Sequence, residues 1–508
     1  MPSFTWAIEM EFSGVGAGWT SVKADVLRAA PVSWGYGING AGPLDRIAGT
    51  GQLTFVLDNS TANSAATLGY YSPDHASVRS GFAIGIRCRL TATYSGTTYY
   101  KFIGTLESIT PEAGARGARV VYCTVLDWMD EAAKQKTANI ATQVDKRPDE
   151  IIGAIVANMT RQPISTSYAA GQLEYPYALD TAEDESSAAM TELAKAVYSD
   201  VGYLYVKGDT SAGGVLRFED RRVRQAATTV LTTLTVQHGL SIGHSRAGVY
   251  NRVKVSINPR RVDAAATTVL YQYDAAQLLT IGPSETVTII GQYRDPDQRA
   301  QRVGGVDLVT PVAYTDYAFG TGVGDTGMTA SLSVSATSGG NSVILELTNS
   351  GTVSGFVTLL QVRGRGLYAY DPVTLQTTDS TSRTTYGEFV LSIDLPHEPR
   401  QHVAQSVADT MLARHKDARA HETRVTIVGN YSDALMTAAL AREPGDLVAV
   451  TESVTGLSAD QYFINGVSYQ IDGGNILTAS WVLAPDYDAA TVFILDTSAL
   501  DGAHVLGW

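Results

Sequence analysis

Three short motifs in the sequence have residue types that catalysis or ligand binding would need. Residues 239–243 (GLSIG) match the GxSxG pattern of a nucleophilic serine, and His238 and His244 flank it. Such a serine works on a sharp turn from a strand into a helix, whereas the residues after this motif lead to strand-like alternation at Val253 and Val255. We therefore interpret the motif as a loop between strands and assign it no acyl-transfer role.

The second motif, residues 322–327 (GVGDTG), has the GxGxxG spacing of a dinucleotide-binding loop. That chemistry requires a following helix whose N-terminus meets a pyrophosphate, but residues 328–335 alternate like a strand. A plain loop is the interpretation. The third motif, His397 to His402, resembles a zinc-protease pattern with its histidines five apart and a proline between them, which is off the helical face that metal ligation needs. We interpret it as a loop leading into a helix.

Acidic residues and cysteines give no specific site. Residues 295–297 (DPD) and 183–185 (EDE) lack calcium-loop spacing and are interpreted as a turn and a helix start. Glycoside cleavage stays open, because it needs only two carboxylates at a set separation and the chain has 51 acidic residues. Cys88 and Cys123 form no CxxC pair and are expected to pack as small apolar side chains. No residue is assigned as catalytic, cofactor-binding or metal-binding, and no cofactor is expected.

The elements that would position these residues are mostly strands. Alternation begins at Phe4 to Phe12 and returns around residues 53–57, 84–90 and 121–125, so residues 1–127 are predicted to form one antiparallel sheet or barrel. Helical spacing replaces it after Arg147 and again over 185–199, followed by a hairpin pattern. Residues 128–245 are therefore predicted to be a small α+β module.

The second half returns to strands. Residues 246–304 and 396–488 are predicted to form a second barrel, with a helix over 401–415. Between them, residues 305–395 are rich in Gly, Thr and Ser and are interpreted as an inserted β-sandwich that contains a hairpin turning on 338–341. Residues 489–508 show no core of their own and are predicted to be a C-terminal arm that docks on a neighbour. The fold class is thus mainly β with a small α+β module.

Composition limits the classes of function. The chain has 508 residues, 44% apolar and 17% charged, which is enough to bury several cores in roughly three to five domains. Its formal net charge of −14 argues against a surface that holds phosphates by counterion release. Twenty-six tyrosines against 11 phenylalanines suit either strands or interfaces and carbohydrate sites. No apolar stretch approaches the ~18 residues of a membrane span, and without a secretory leader pattern the chain is expected to fold in a reducing cytoplasm.

Several stretches of strands and turns recur together in one known family. They are 51–60 (GQLTFVLDNS), 71–73 (YSP), 101–109 (KFIGTLESI), 360–364 (LQVRG), 379–382 (DSTS), 386–388 (YGE), 443–448 (EPGDLV), 463–467 (FINGV), 483–485 (LAP) and 506–508 (LGW). In this order the sequence resembles the baseplate hub proteins, also called tail-tip or minor tail proteins, of long-tailed bacteriophages. The segment from about 305 to 360 is the part that the resemblance covers least.

The resemblance implies a structural virion protein rather than an enzyme. It implies a homotrimer with two related hub-type barrels per chain, joining the hexameric tail tube to three-fold tip structures around a channel for DNA. The implied partners are the distal tail or tail tube protein, the C-terminus of the tape-measure protein, and tail fibre or host-contact proteins. DNA would only pass through, and three chains of charge −14 would together line the passage with −42. The implied location is the virion tail tip, assembled in the host bacterial cytoplasm without stable membrane insertion.

Two alternatives from other classes remain. In the first, the inserted β-sandwich binds a host receptor or a cell-wall carbohydrate. In the second, the chain is an enzyme that degrades the cell envelope.

Overall fold

The computed structural model describes residues 2–114, 117–137, 139–182, 187–277, 279–418 and 420–486. The prediction of a mainly β protein is confirmed, with helices confined to a few positions. The predicted arm over 489–508, the LGW stretch at 506–508 and the acidic helix start at 183–185 lie outside the described residues. In the described part of the chain, no helix is long and apolar enough to cross a membrane.

The N-terminal region consists of seven strands. They are β1 (Thr5–Met10), β2 (Thr20–Ser21), β3 (Val32–Gly37), β4 (Gln52–Asp58), β5 (Arg87–Tyr94), β6 (Thr97–Glu112) and β7 (Val120–Leu126). The alternation that predicts β1 and β4 arises because every second side chain points into the core.

A small α+β region follows. Its elements are α1 (Trp128–Lys134), β8 (Gln143–Lys146), α2 (Pro148–Asn158), β9 (Ser165–Tyr168), β10 (Tyr175–Ala178), α3 (Ala189–Asp200), β11 (Tyr203–Lys207) and β12 (Val215–Glu219). Helix α2 begins where predicted, because Pro148 fits the first turn and Glu150 accepts the Arg147 backbone N–H at 3.0 Å. Helix α3 ends at Val201, whose φ of +59° stops the helix.

The middle of the chain is again β. Its elements are β13 (Thr232–Leu234), β14 (Gly239–His244), β15 (Arg252–Ile257), β16 (Arg260–Val262), β17 (Thr268–Gln272), β18 (Thr280–Ile281), β19 (Thr286–Gln292), β20 (Gly304–Val306), β21 (Tyr317–Gly320), β22 (Leu332–Ser338), β23 (Ser342–Asn349), β24 (Gly355–Ala369), β25 (Val373–Thr378), α4 (Ser380–Tyr386) and β26 (Val390–Leu395). The hairpin of β22 and β23 turns where the sequence predicts it.

The C-terminal region begins with α5 (Gln401–His415), over the range that its helical spacing predicts. It continues with β27 (Ala420–Val428), α6 (Asp433–Ala441), β28 (Leu447–Glu452), β29 (Leu457–Ile471) and β30 (Leu477–Pro485).

The largest sheet joins the two ends of the chain. Its order is β14-β27-β30-β29-β3-β4-β7-β6-β5-β1-β2, and β28 also pairs with β29 and with β13. The junction is the antiparallel pairing of β3 with β29, from Gly37 opposite Gly466 to Val32 opposite Ile471. One hydrophobic core lies against both sides of this junction, with Trp34 stacked on Tyr469 at 4.9 Å between ring centroids. The terminal regions therefore form one packed unit.

Three other units lie between the strands that form the large sheet. Strand β24 pairs with β16, β17, β18, β20 and β21, and this sheet shares one core with the β19-β23-β22 sheet. A separate sheet of β25-β15-β26 is covered by the apolar face of α5. The α+β region has its own core between its helices and the β11-β12-β9 sheet.

Strand pairing differs from the predicted grouping. Strands β27 to β30 belong to the same sheet as the N-terminal strands, which they join through the pairing of β29 with β3, whereas the predicted second barrel would have grouped them with β15 to β19. Alternation shows which side of a strand is buried but does not identify the neighbouring strand. The strand orders contain no closed sheet within the described residues. The domain boundaries and the barrel and sandwich assignments stay predictions.

Candidate functional site

The GxSxG motif forms a strand rather than the predicted loop. Ser241 lies within β14, opposite Arg424 of β27, and its side chain faces solvent. His238 is engaged elsewhere, since its Nδ1 accepts the Val428 backbone N–H at 3.1 Å. The interpretation of a loop was wrong because the short alternation in residues 239–243 was hidden by two glycines. The serine does not occupy the strand-to-helix turn that would present a nucleophile.

The GxGxxG motif is a loop between β21 and β22, as predicted. Its Asp325 carboxylate accepts the backbone N–H groups of Thr321 at 2.7 Å and Gly327 at 2.9 Å. These backbone hydrogen bonds lower the pKa of Asp325 to about 2. The loop's donors are thus directed at its own aspartate, and only a three-residue 3-10 helix, Thr329–Ser331, separates the loop from β22, so no α-helix N-terminus faces it.

The two histidines of the HEPRQH motif lie in different environments. His402 is exposed on α5, whereas His397 is buried with neither ring nitrogen hydrogen-bonded to any described residue. Burial lowers the pKa of His397 to about 3, so the ring is neutral at physiological pH. As predicted, the motif is a turn leading into a helix. Across the described residues, no group of three or more His, Cys, Asp or Glu side chains is placed to hold a metal ion.

The remaining candidates have structural roles. Cys88 and Cys123 are free and buried in the main core, and burial raises the pKa of Cys123 to about 12. They therefore pack as apolar side chains, as predicted. Residues 295–297 form the predicted turn, in which the Asp295 carboxylate accepts the Asp297 backbone N–H at 2.9 Å.

The most developed polar site joins the two ends of the chain. Lys101 of β6 is fully buried and forms an ion pair with Glu443, in the turn before β28. Glu443 also accepts the Tyr36 hydroxyl at 2.8 Å and the Gly208 backbone N–H at 3.0 Å. Lys101 Nζ donates to the Leu440 carbonyl at 3.0 Å as well. We call Lys101, Glu443, Tyr36 and Gly208 the junction network.

The electrostatics of the junction network favour its charged form. Burial alone would lower the pKa of Lys101, but the Glu443 carboxylate beside it raises the pKa above its ordinary value. Burial, together with the Glu443 charge, raises the pKa of Tyr36 well above its usual range, so this phenol stays a donor. The network therefore fixes three separate regions of the chain around one carboxylate. This arrangement positions strands and holds no reactive group near solvent.

Two stretches of the sequence contain members of this network, although neither stretch matches a catalytic or ligand-binding motif. Lys101 opens the KFIG stretch and Glu443 opens the EPGD stretch, and both stretches carry the family resemblance. A lysine directly before two adjacent apolar residues, Phe102 and Ile103, requires a partner if the strand is buried. What the sequence could not supply was the identity of that partner, which lies 342 positions away.

An open groove lies between the N-terminal strands and the α+β region. It has a volume of about 570 Å³ and an apolar floor that includes Ile103, Trp128 and Ile164, with Arg87 and Arg161 at its sides. The neighbouring tips at Val15 and Ile84 are exposed by 73% and 65%. These features give this part of the surface an apolar character.

Comparison with known proteins gives similarity at the level of structure. No family model and no curated protein matches the chain. Among solved structures, the 43 kDa tail protein of prophage MuSo2 from Shewanella oneidensis is 11% identical with a TM-score of 0.48, covering 95% of this chain and 99% of that one. The tail protein from Neisseria meningitidis MC58 is 9% identical with a TM-score of 0.48, covering 96% and 99%.

A third solved structure comes from a protein complex. A chain of the lidded Francisella PdpA-VgrG complex is 10% identical with a TM-score of 0.41, covering 96% of this chain and 53% of that one. The solved structures similar to this chain are thus two tail proteins and a chain of the PdpA-VgrG complex.

Proposed function

We propose that this chain is a structural protein of a phage-type tail tip, acting as a trimeric baseplate hub. In this role it connects the hexameric tail tube to three-fold tip structures and leaves a central passage for DNA. It makes and breaks no covalent bond. Its place is the virion tail tip, after assembly in the cytoplasm of the host bacterium.

One observation supports the proposal above the others. The stretches at 51–60 and 101–109 lie more than 300 residues before those at 443–448, 463–467 and 483–485, yet the strands that contain them belong to a single sheet. The stretch at 51–60 (GQLTFVLDNS) contains β4, and the stretch at 463–467 (FINGV) lies on β29. Strand β3 pairs with both of these strands. The stretches near the two ends of the chain therefore build one body, as a component of a rigid ring requires.

Charge supports the proposed passage for DNA. The formal charge of −14 per chain gives a trimer a strongly acidic balance, and an acidic wall repels a polyanion rather than adsorbing it. The distal tail or tube protein, the tape-measure C-terminus and tail fibre or host-contact proteins are the proposed neighbours. The two hub-type barrels belong to this proposal, with the single sheet supplying strands to both.

Light scattering and electron microscopy test the ring directly. The purified protein at micromolar concentration should have three times the mass of one chain, and averaged images should show threefold symmetry. A gel-shift measurement with duplex DNA at low salt should show no retained complex. If the protein stays monomeric both alone and when mixed with its tail tube protein, the hub proposal is wrong.

A second function has support from the unit built around β24, residues 260–369, which we call the β24-centred unit. Its surface exposes Tyr314, Val323 and Val353, each more than half accessible, at turns between its strands. Exposed aromatic and apolar groups at loop tips suit the recognition of a receptor or a carbohydrate. A particle whose hub lacks residues 260–369 should then lose host adsorption while still assembling. Unchanged adsorption would remove this second function.

A further inference from the structure

A polar cleft lies at the seam between the two sheets of the β24-centred unit. Its walls come from the end of β17, the end of β19 and the turn that follows β19. Strand β17 belongs to the sheet built on β24, whereas β19 belongs to the sheet with β22 and β23. The volume of this seam cleft is about 270 Å³. That is close to the lower end of the ~300–1,000 Å³ range of small-molecule pockets, which suits a ligand the size of a sugar ring.

Hydrogen bonds within the turn after β19 hold one wall of the seam cleft in place. The Asp295 carboxylate accepts the backbone N–H groups of Asp297 at 2.9 Å and Gln298 at 3.3 Å. From the start of the turn, Arg294 Nη1 donates to the Ala300 carbonyl at 2.9 Å. This wall is therefore built by the chain itself, and its one carboxylate is already engaged by backbone donors.

Two guanidinium groups in the seam cleft have amide oxygens as their side-chain partners. Arg299 Nη2 donates to Gln272 Oε1 at 2.9 Å, and Arg294 Nη2 donates to Gln292 Oε1 at 2.8 Å. Within the described part of the chain, no carboxylate lies within ion-pair distance of either arginine. An amide oxygen carries no net charge, so neither positive charge is neutralised by a partner side chain.

The same four side chains have further donors that the protein leaves open. Each glutamine presents its oxygen to an arginine, because a guanidinium can only donate, so the amide NH₂ group is left over. Neither NH₂ group has a hydrogen-bond partner among the described residues, and neither do Arg294 Nε and Arg299 Nη1. Gln272, Gln292 and Arg299 are exposed, so a ligand in the cleft reaches these side chains directly. Open donors of this kind require a ligand that is rich in oxygen acceptors.

Tyr271 adds an aromatic surface to the seam cleft. Its ring lies against Gly291 of β19, where a Cβ would come within 2.6 Å of two ring carbons. The absence of a side chain at Gly291 therefore lets the ring rest on the backbone of β19. Tyr271 is only partly buried and lines the cleft. A sugar ring has apolar C–H groups on its faces, and an aromatic ring can cover them.

We propose that the seam cleft binds an acidic saccharide, a sugar that carries a carboxylate. The carboxylate pairs with Arg299 and Arg294, because a planar guanidinium matches a planar carboxylate. The sugar oxygens accept hydrogen bonds from the two glutamine amides, and a C–H face packs on Tyr271. This inference gives a ligand class to the second function proposed above and rests on that function for its role in host adsorption. Binding by the purified chain is measured separately from adsorption.

Isothermal titration of the full chain at constant ionic strength tests the proposal. The probes are oligomers of galacturonic acid and of N-acetylneuraminic acid, and the neutral control is the galacturonic acid oligomer with its carboxyl groups reduced to alcohols. We expect saturable binding of at least one acidic probe at one site per chain, and no binding of the neutral control. Lack of saturable binding to both acidic probes, or equal binding of the neutral control, would overturn the proposal. Equally tight binding of inorganic phosphate would overturn the assignment to a saccharide.

Variants of exposed residues connect the binding to the seam cleft. Arg299→Gln removes a charge without disturbing the core and should weaken binding of the acidic probe about tenfold or more. The matched control is Arg261→Gln, the same change at an exposed arginine of the same unit that does not line the cleft. It should leave the affinity unchanged. Tyr271→Leu keeps an apolar side chain and should also weaken binding. Equal affinities of Arg299→Gln and Arg261→Gln would show that the arginine does not hold the ligand.

Adsorption of particles separates this inference from the second function. Loss of adsorption on removal of residues 260–369, with binding and adsorption unchanged in Arg299→Gln, would retain the second function and refute the acidic-saccharide site. Unchanged adsorption on removal of these residues, with binding that depends on Arg299, would retain the site and refute the second function. If both are correct, Arg299→Gln should weaken binding and adsorption together.

Discussion

At the residue scale, the ion pair of Lys101 and Glu443 depends on its surroundings. Its charges lie inside the protein, and every oxygen of Glu443 has a donor from a different strand or turn. Such a pair gives little net stability over an apolar pair, but removing one member leaves the other charged, buried and uncompensated. The cost of breaking it is therefore much larger than the net contribution of making it.

We expect Lys101→Met to lower the free energy of unfolding by about 3–5 kcal/mol, because Glu443 then remains buried without its cation. Urea unfolding followed by circular dichroism measures this change. The matched control is Lys134→Met, which removes an exposed lysine with two acidic partners and should cost at most about 1 kcal/mol. The double change Lys101→Met with Glu443→Gln should recover part of the loss. Equal costs at positions 101 and 134 would contradict a buried network.

His397 makes stability depend on pH. Its pKa is about 3 when folded and near 6.5 when unfolded, so below pH 6.5 the unfolded chain binds a proton that the folded chain does not. The resulting stabilisation is complete above pH 6.5 and is lost as the pH falls towards 3. Between pH 7.5 and 4.5 this amounts to about 2–3 kcal/mol. We expect His397→Leu to remove that part of the pH dependence, as measured by urea unfolding at both pH values.

The comparison between variants is needed because buried carboxylates act in the opposite direction. Burial raises the pKa of Asp127 to about 7 and that of Asp200 to about 6, so their contributions favour the folded state at lower pH. The contribution of His397 is therefore the difference in the pH dependence of the free energy of unfolding between His397→Leu and the unaltered chain. His402→Leu, which changes an exposed histidine on α5, should leave the pH dependence as it was; a similar effect at both positions would refute the assignment to burial.

Residue types predicted whether a side chain is buried better than they predicted which residues it contacts. Cys88 and Cys123 pack as the sequence suggested, since a free thiol without ligand spacing behaves as a small apolar group. The junction network could not be predicted. Lys101 and Glu443 are 342 positions apart and meet only because the two ends of the chain form one sheet. A single sequence identifies buried charges poorly when their partners are supplied by tertiary structure.

At the element scale, the pairing of β3 with β29 joins the two ends of the chain. Gly37 lies at one end of this pairing with φ of +96°, and a Cβ placed there would lie 2.6 Å from the Asn465 carbonyl oxygen. Both the backbone conformation and the close approach therefore require glycine. The two strands can approach each other at this point only because no side chain intervenes.

We expect Gly37→Ala to destabilise the folded chain by about 2–4 kcal/mol, adding steric overlap to the cost of a positive φ. The matched control is Gly18→Ala, which has a similar φ of +106° but no atom within 4 Å of its Cβ. That change should cost only about 1 kcal/mol. Denaturant unfolding of the two variants measures the difference. Equal losses would mean that the close approach at the junction has no energetic weight.

Elements were predicted well by periodicity, whereas their neighbours were not. Helix α5 and the β22-β23 hairpin follow local spacing and turn residues, so the sequence locates them. The short helices α1, α4 and α6 were missed, because seven to nine residues give too few turns to show a period. The junction of β3 with β29 joins residues more than 400 positions apart, and alternation is compatible with many such partners.

At the scale of the whole molecule, the first and last residues of the β24-centred unit (260–369) lie next to each other in the fold. The Tyr370 backbone N–H donates to the Pro259 carbonyl at 3.0 Å, immediately outside the two ends of the unit. Strands β15 and β25 already pair antiparallel, with Ile257 opposite Val373. Joining Pro259 to Tyr370 would therefore leave a hairpin with a five-residue loop, a length that ordinary hairpins use.

We expect the chain lacking residues 260–369 to fold and to keep the oligomeric state of the full chain, because the large sheet and its core draw no strand from this unit. Circular dichroism, thermal unfolding and light scattering measure both outcomes. The excision removes Arg260, whose guanidinium pairs with buried Asp180 at 2.6 Å, so stability should fall. Adding Asp180→Asn to the excised chain should restore part of it, because the isolated buried charge is then absent. An excised chain that is unfolded even with Asp180→Asn would show that the unit is integral to the core of the molecule, and a change in oligomeric state would place it in the assembly interface.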